Sequence, residues 1–265
     1  MIEAVHLMYH ELESPGRKLC RDEPGYVRYV ITAEEFRRQL VYLRENDFQC
    51  LSVADAFSEK AGEKDDKQEQ RRARIVVTFD DGCETDLLTA APLLKEFDAN
   101  ATFYIVAGFL GSHGYLSAPQ LRELSEQGFD IGSHSMTHAY LPDLAPEELR
   151  AEIQGSKARL EEITGREVRH FSCPGGRWNQ SVVREAQRAG YATVATSRPG
   201  KNSSANDCFA LARMAVLRGA SLADFDRICR GRGLLRKRAQ VAALSAAKKL
   251  LGNGMYEKLR AAVLD

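Results

Sequence analysis

Three short stretches carry the residues able to do chemistry: Asp80-Asp81-Gly82, His134-Ser135-Met136-Thr137-His138 and Cys173-Pro174-Gly175-Gly176. Two histidines four residues apart on one turn can face the same ion, and an aspartate from elsewhere completes a His-His-Asp set. Three protein ligands leave coordination positions open, as in a catalytic zinc or similar divalent site and unlike a closed structural one. His-x-x-x-His alone more often describes ordinary core or surface histidines; the aspartate pair at another strand end gives it weight. Neighbouring residues at a strand end point to different sides. One of the two aspartates can therefore ligate while the other stays free to take a proton. A divalent ion polarises an acyl oxygen and acidifies water, and the free carboxylate then acts as general base. The chemistry so described is metal-assisted hydrolysis of an acyl or similar bond.

Strand ends must position these residues. Arg74-Ile75-Val76-Val77-Thr78-Phe79 is a β-branched and aromatic run that is comfortable only with both faces covered, as in a parallel sheet. Asp80-Asp81-Gly82 is expected to stop it; a plain solvated turn is the competing reading of that triplet. Val5 to His10 reads as a short buried strand with a polar tip. Thr32-Ala33-Glu34-Glu35 has the form of a capping box, opening a helix with Phe36, Leu40 and Leu43 on one face that ends near Asn46. Strands at 101–105, 129–132, 168–171 and 191–195 alternate with helices at 87–97, 119–127, 146–165 and 179–189. Such βα repeats indicate a parallel sheet or barrel. Residues 58–74 are nearly all polar and are expected to form an exposed loop. Ser221 can cap one more helix, and 234–264 reads as a largely basic helical tail broken at Gly252-Asn253-Gly254.

The 265 residues suffice for a sizeable core. Lys plus Arg (37) balances Asp plus Glu (37), so no overall field draws the chain to nucleic acid. The start of the chain lacks the pattern of a secretory signal, and no run approaches the roughly 18 apolar residues of a membrane span. The six scattered cysteines are expected to be reduced thiols, with a cytoplasmic protein as the default.

Thr78-Phe79-Asp80-Asp81-Gly82, the His134–His138 turn and Phe171-Ser172-Cys173-Pro174-Gly175-Gly176 together resemble the successive motifs of the polysaccharide deacetylase family, the NodB-homology or carbohydrate esterase family 4. The resemblance covers roughly residues 1–220. It implies an α/β fold, a distorted (β/α) barrel; residues 221–265, which read as helical, are expected to form an extension packed on or beside it. It also implies removal of an acetyl group from an N-acetylated sugar or glycan with a bound divalent metal, most often zinc. Carried over by motif, Asp80 is the expected catalytic base, Asp81, His134 and His138 the metal ligands, and the Gly175 amide the oxyanion donor.

Two departures stand out. Ser172 occupies the place where the family has an arginine paired with the base, and the family's late leucine–histidine motif is missing, His170 being the last histidine. Some members are circularly permuted, and Leu7-Met8-Tyr9-His10 has the missing motif's spacing, so His10 is the expected general acid; a loop hydrogen bond is its bland alternative. Arg213 is a candidate replacement for the absent arginine or an ordinary surface charge, and Trp178 either stacks on a sugar or packs a helix. Arg230 to Arg238 precedes the tail helix and can touch an anionic membrane face, a solvated helix face being the alternative. Two other functions compete: a barrel that has lost turnover and binds a glycan or protein, and a metal hydrolase of another amide bond.

Overall fold

Strand-forming runs pair where their β-branched and aromatic residues can be covered from both sides. The computed structural model describes residues 3–58, 73–203 and 205–233. Its strands are β1 (Val5–Tyr9), β2 (Leu12–Glu13), β3 (Ile31–Thr32), β4 (Phe48–Leu51), β5 (Ala73–Asp81), β6 (Thr102–Ile105), β7 (Asp130–Ser133), β8 (His170–Ser172), β9 (Thr193–Ala195) and β10 (Met214–Ala215). The main sheet is parallel and runs β10-β1-β5-β6-β7-β8-β9, with β4 also on β5; β2 and β3 pair separately. The sheet curls until residues 211–215 touch both edges: Leu211 bridges Ala195 of β9, and Met214 and Ala215 pair with Leu7 and Met8 of β1. This is the expected α/β architecture, a distorted (β/α) barrel.

Alternation along each strand sorts the two faces. Leu7 and Tyr9 of β1, Val77 and Phe79 of β5, and Phe103 and Ile105 of β6 join the outer layer of helices in the main core. A smaller apolar group (Ala4, Val76, Tyr104, Ala195 and Leu211, with Val53 and Ala56) forms a second cluster on the other face. Residues 48–57, a strand and a short helix that the sequence reading did not separate, supply part of that cluster.

Local signals act where expected. Thr32 and Glu35 form the capping box of helix Ala33–Glu45, whose Phe36, Leu40 and Leu43 are buried. The helix expected over 146–165 is present but carries a π-helical stretch, Ala151–Gly155, between its α-helical parts Pro146–Arg150 and Ser156–Thr164, and Gly165 closes it at φ 65°. A second π stretch, Asp86–Ala90, precedes helix Ala91–Glu96. Helix Leu222–Cys229, capped by Ser221, packs Phe225 into the main core against Tyr42.

The expected stop at Asp80-Asp81-Gly82 is corrected: β5 runs through both aspartates, Asp80 opposite Tyr104 and Asp81 opposite Ile105. The turn begins only where Asp81 and Gly82 take positive φ (84° and 83°), a conformation that an aspartate tolerates better than most residues. Most of the polar 58–74 segment (59–72) and the basic tail from Leu234 lie outside the described residues. At the tail's entrance Arg230 pairs with Asp226 at 2.5 Å. Among the described residues no helix is long and apolar enough to cross a membrane.

Candidate active site

The carboxyl ends of β1, β5, β7 and β8 bring the sequence candidates together. Asp80 and Asp81 end β5, and His134 follows β7 directly. Asp81 Oδ1 lies 3.7 Å from His134 Nε2 and 3.6 Å from His138 Nε2. One ligand atom from each of these three residues lies within 4.8 Å of the other two.

Hydrogen bonding fixes the state of His134. Its Nδ1 is 2.8 Å from the Ser172 carbonyl, which can only accept, so Nδ1 carries the proton and Nε2 presents its lone pair to Asp81 and His138. That is the arrangement a metal-ligating histidine needs. Burial, opposed by Asp80, lowers the His134 pKa to about 3, and burial also lowers that of His138. Both rings are therefore neutral donors near pH 7. Asp81 Oδ1 is buried with no hydrogen-bond partner, and burial followed by the neighbouring Asp80 charge raises its pKa. A carboxylate oxygen left unpaired between two neutral imidazole nitrogens is a costly arrangement unless a cation joins it. The donor set fits a divalent ion.

The His134–His138 turn is strained and anchored. Ser135 and His138 both have positive φ (68° and 63°), at roughly 1–3 kcal/mol each for non-glycine residues. Glu152 offsets that cost: one carboxylate oxygen accepts from the amides of Met136 and Thr137, both at 2.9 Å, and the other from the Thr137 hydroxyl at 2.5 Å. The Ser135 hydroxyl accepts from the His138 amide at 3.0 Å, and Gly108 donates to the Met136 carbonyl at 2.7 Å. Sequence reasoning missed Glu152. Its signal was an acidic residue on the apolar face defined by Leu149 and Ile153, where the helix turns π-helical. Glu152→Ala is expected to weaken divalent-ion affinity by about 10–100-fold, read by metal titration of chelator-stripped protein.

Asp80 answers the departure at Ser172. Arg213, 1% exposed, forms a bidentate pair with Asp80 through Nη1–Oδ1 at 2.6 Å and Nη2–Oδ2 at 2.8 Å. Its remaining donors go to the Thr196 carbonyl (Nε, 3.0 Å), the Thr78 hydroxyl (Nη1, 3.2 Å) and the Ser172 hydroxyl (Nη2, 2.7 Å). All five guanidinium hydrogens thus have acceptors. The arginine missing from the β8 end arrives from the segment just before β10, and the small Ser172 side chain leaves it room and accepts one of its bonds. Burial alone would raise the Asp80 pKa; the Arg213 guanidinium and then His134 overcome this and hold it well below the usual carboxylate range.

The two aspartates diverge less than strand alternation implies. Asp80 Oδ2 lies 3.8 Å from His134 Nε2, nearly as close as Asp81 Oδ1, because the positive φ of Asp81 turns that residue back. Their partners separate them: Asp80 is held by Arg213, and Asp81 Oδ1 is unpaired.

His10 follows β1, in register with β5 through the Tyr9–Phe79 pair. Its Nδ1 is buried without a hydrogen-bond partner, and its ring lies 4.8 Å from that of Tyr29. Burial lowers its pKa, against the opposing pull of Asp81 and Asp80. Gly175 sits in the tight turn Pro174–Gly176 after β8 with φ 60°. Trp178 is half-buried against the main core, with the Arg198 guanidinium 5.6 Å from its ring centre, so part of that ring is committed to packing.

A curled parallel sheet carries a His-His-Asp set and a clamped carboxylate at its carboxyl ends, an α/β arrangement whose donor set could hold a metal ion. Comparison with known proteins shows what the chain resembles. Residues 67–194 match the polysaccharide deacetylase family model. The chain is 28% identical over 215 residues to YxkH of Bacillus subtilis, covering 81% of this chain and 72% of that one. It is 33% identical over 130 residues to a chitooligosaccharide deacetylase of Azorhizobium caulinodans (48% and 60% of the two chains). It is also 33% identical over 121 residues to a peptidoglycan-N-acetylglucosamine deacetylase of Bacillus cereus (45% and 54%). The match thus spans little more than half the length of those two enzymes. In fold, the Streptococcus pyogenes deacetylase PplD superposes with a TM-score of 0.72 at 24% identity, covering 86% of this chain and 98% of that one. In sequence and in fold the chain is similar to polysaccharide deacetylases.

Proposed function

We propose that the protein is a divalent-metal-dependent deacetylase that hydrolyses the acetamide of an N-acetylated sugar in a polysaccharide or glycan precursor. One observation carries this reading: an unpaired, buried Asp81 oxygen between two histidine nitrogens, beside a carboxylate held ionised by arginine. The names of the related enzymes, all acting on N-acetylated glycans, support the substrate class. Asp81, His134 and His138 would hold the ion, zinc by the nitrogen-and-carboxylate donor set. Bound there, it would supply Lewis acidity toward the acyl oxygen and lower the pKa of water.

The chain's own residues do the rest. Asp80, ionised by Arg213, accepts a proton from the attacking water. The Gly175 amide donates to the oxygen that becomes negative as the carbonyl turns tetrahedral. His10, protonated from solvent against the effect of burial and favoured by the Asp81 and Asp80 charges, gives that proton to the sugar nitrogen as the carbon–nitrogen bond breaks; acetate leaves, and Asp80 returns its proton to solvent. Trp178 would meet the sugar with whatever ring face Arg198 leaves open.

The reading of an inactive binding barrel rested on Ser172 and the missing late histidine. The Arg213–Asp80 pair removes the first ground, and the position of His10 at the end of β1 weakens the second. Acetate release from a panel of N-acetylated sugars is expected from metal-loaded protein and not after chelation. Glycan binding with no release from any substrate would favour the binding module. His10→Ala is expected to lower kcat by about 10²–10⁴-fold, the usual worth of a positioned acid, with metal content unchanged. Full turnover in that variant would remove His10 from the mechanism.

A further inference from the structure

A second group of potential ligands lies beside the site, and none of the steps above uses it. Cys83 follows Gly82 just past the end of β5, and Cys20 comes from the segment between β2 and β3. Their sulfurs are 3.3 Å apart, and Cys20 Sγ also contacts the Gly114 carbonyl at 3.1 Å. Glu11, 3% exposed, reaches the same place. Its carboxylate accepts from the Cys20 amide (3.0 and 3.2 Å) and from the Tyr26 hydroxyl (2.9 Å), and that hydroxyl is 3.3 Å from Cys83 Sγ. One ligand atom each of Glu11, Cys20 and Cys83 lies within 4.8 Å of the other two. Bonds of about 2.0–2.3 Å to one ion then require only small side-chain rotations.

The surroundings call for positive charge. Asp86 stands three residues beyond Cys83, and its amide donates to the Cys83 carbonyl at 3.0 Å. It is 1% exposed, and neither of its carboxylate oxygens has a hydrogen-bond partner. Burial, and then the nearby Cys20, Asp81 and Glu11, push the pKa of its carboxyl up, so the cluster lies close to it. A carboxylate buried with both oxygens unpaired is costly without a cation nearby. It also opens the π-helical stretch Asp86–Ala90, and single π turns within helices recur at functional sites. Two arginines stand nearby: Arg17, paired with Glu84, also acts on the Glu11 carboxyl, and Arg21 bonds the Tyr115 hydroxyl at 3.2 Å with its guanidinium over the Tyr26 ring. Asp81 faces the histidine pair. Two sulfurs and one carboxylate select zinc-like ions over magnesium or calcium.

We propose that Glu11, Cys20 and Cys83 bind a second, thiophilic divalent cation, separate from the Asp81–His134–His138 set, with Asp86 lending charge from behind. Each thiol exchanges its S–H bond for a sulfur–metal bond and gives its proton to solvent, with no change in oxidation state. The ion would fasten the 14–30 segment, which carries Tyr29 onto His10, to the end of β5.

The test uses the full chain, stripped by chelator, kept reduced with a phosphine and titrated with Cd²⁺ and with Zn²⁺. Two equivalents are expected. One should bring thiolate-to-cadmium charge-transfer absorption and protection of Cys20 and Cys83 from alkylation. Cys20→Ser and Glu11→Gln should each lose that equivalent and keep the other, whereas the His134→Ala/His138→Ala protein should keep the absorption band. Glu11→Gln preserves side-chain volume, so its circular dichroism separates loss of the ion from loss of the fold. A single equivalent without the band, or alkylation rates unchanged by cadmium, overturns the proposal. So does a Cys20–Cys83 disulfide that, once reduced, takes up no second ion, which would make the pair a redox couple.

Discussion

Asp80→Asn is expected to lower acetate release by about 10²–10⁴-fold, the usual contribution of a positioned general base, while leaving divalent-ion affinity nearly unchanged. The two halves of this expectation rest on different contacts. Proton acceptance requires an ionised carboxylate, and Asp80 is held ionised by the paired Arg213 nitrogens at 2.6 and 2.8 Å. The proposed ion binding rests on Asp81 Oδ1, at 3.7 and 3.6 Å from His134 and His138 Nε2. Asparagine has the size of aspartate and keeps one oxygen for Arg213, but it leaves the buried guanidinium without its counter-charge, so some stability is lost and circular dichroism must show folded protein before rates are compared. Steady-state rates measured beside metal content check both halves. If Asp80→Asn instead strips the ion, the roles within the aspartate pair are reversed, a result the 3.8 Å approach of Asp80 Oδ2 to His134 makes worth testing. Asp81→Asn should do the opposite and lose the ion first.

The grouping of Asp81, His134 and His138 was legible in the sequence because its information is local. A β-branched run ending in Asp80-Asp81 fixes two carboxylates at a strand end, and His134-x-x-x-His138 fixes two rings on one turn. The Thr32–Glu35 cap and the Gly165 helix stop were readable for the same reason: each is settled by residues a turn apart. The position of the strand end was missed by two residues. Pairing with β6 carries β5 through Asp81, and tertiary pairing overrides the turn preference of Asp and Gly. Arg213 was visible only as one cation among many. Its role depends on a two-residue strand, β10, entering between the edges of a curled sheet and aligning Met214 with Leu7, a register set by contacts some two hundred residues apart. Glu152 left a local signal, an acidic residue on an apolar helix face, without showing which turn it holds; the Cys20–Cys83–Glu11 group was illegible because loops from distant strands meet there.

Arg213→Met is expected to be the most damaging single change, destabilising the protein by about 3–5 kcal/mol, the cost of removing one partner of a buried ion pair. Methionine fills much of the volume but donates to none of the five acceptors, and Asp80, 2% exposed, is left as an uncompensated buried anion. Arg213→Lys should recover only part of the loss, because an ammonium cannot make the bidentate contact or reach Thr196, Thr78 and Ser172 together. The sign of the pH effect follows from the depressed Asp80 pKa. The pair's stabilisation is full above the unfolded carboxylate value of about 3.9 and is lost as pH falls through the lower folded value. Without Arg213, burial dominates and the folded pKa rises. Stability of the variant should then decline with rising pH where the wild type is level, and the acid limb of kcat/KM should move to higher pH. Urea midpoints across pH, with Asp80→Asn/Arg213→Met as the fourth corner of a double-mutant cycle, measure the coupling directly. A double variant more stable than Arg213→Met alone is expected, because it removes the unpaired charge along with its partner. Additive losses would mean that Arg213 acts through packing and leaves the charge on Asp80 untouched.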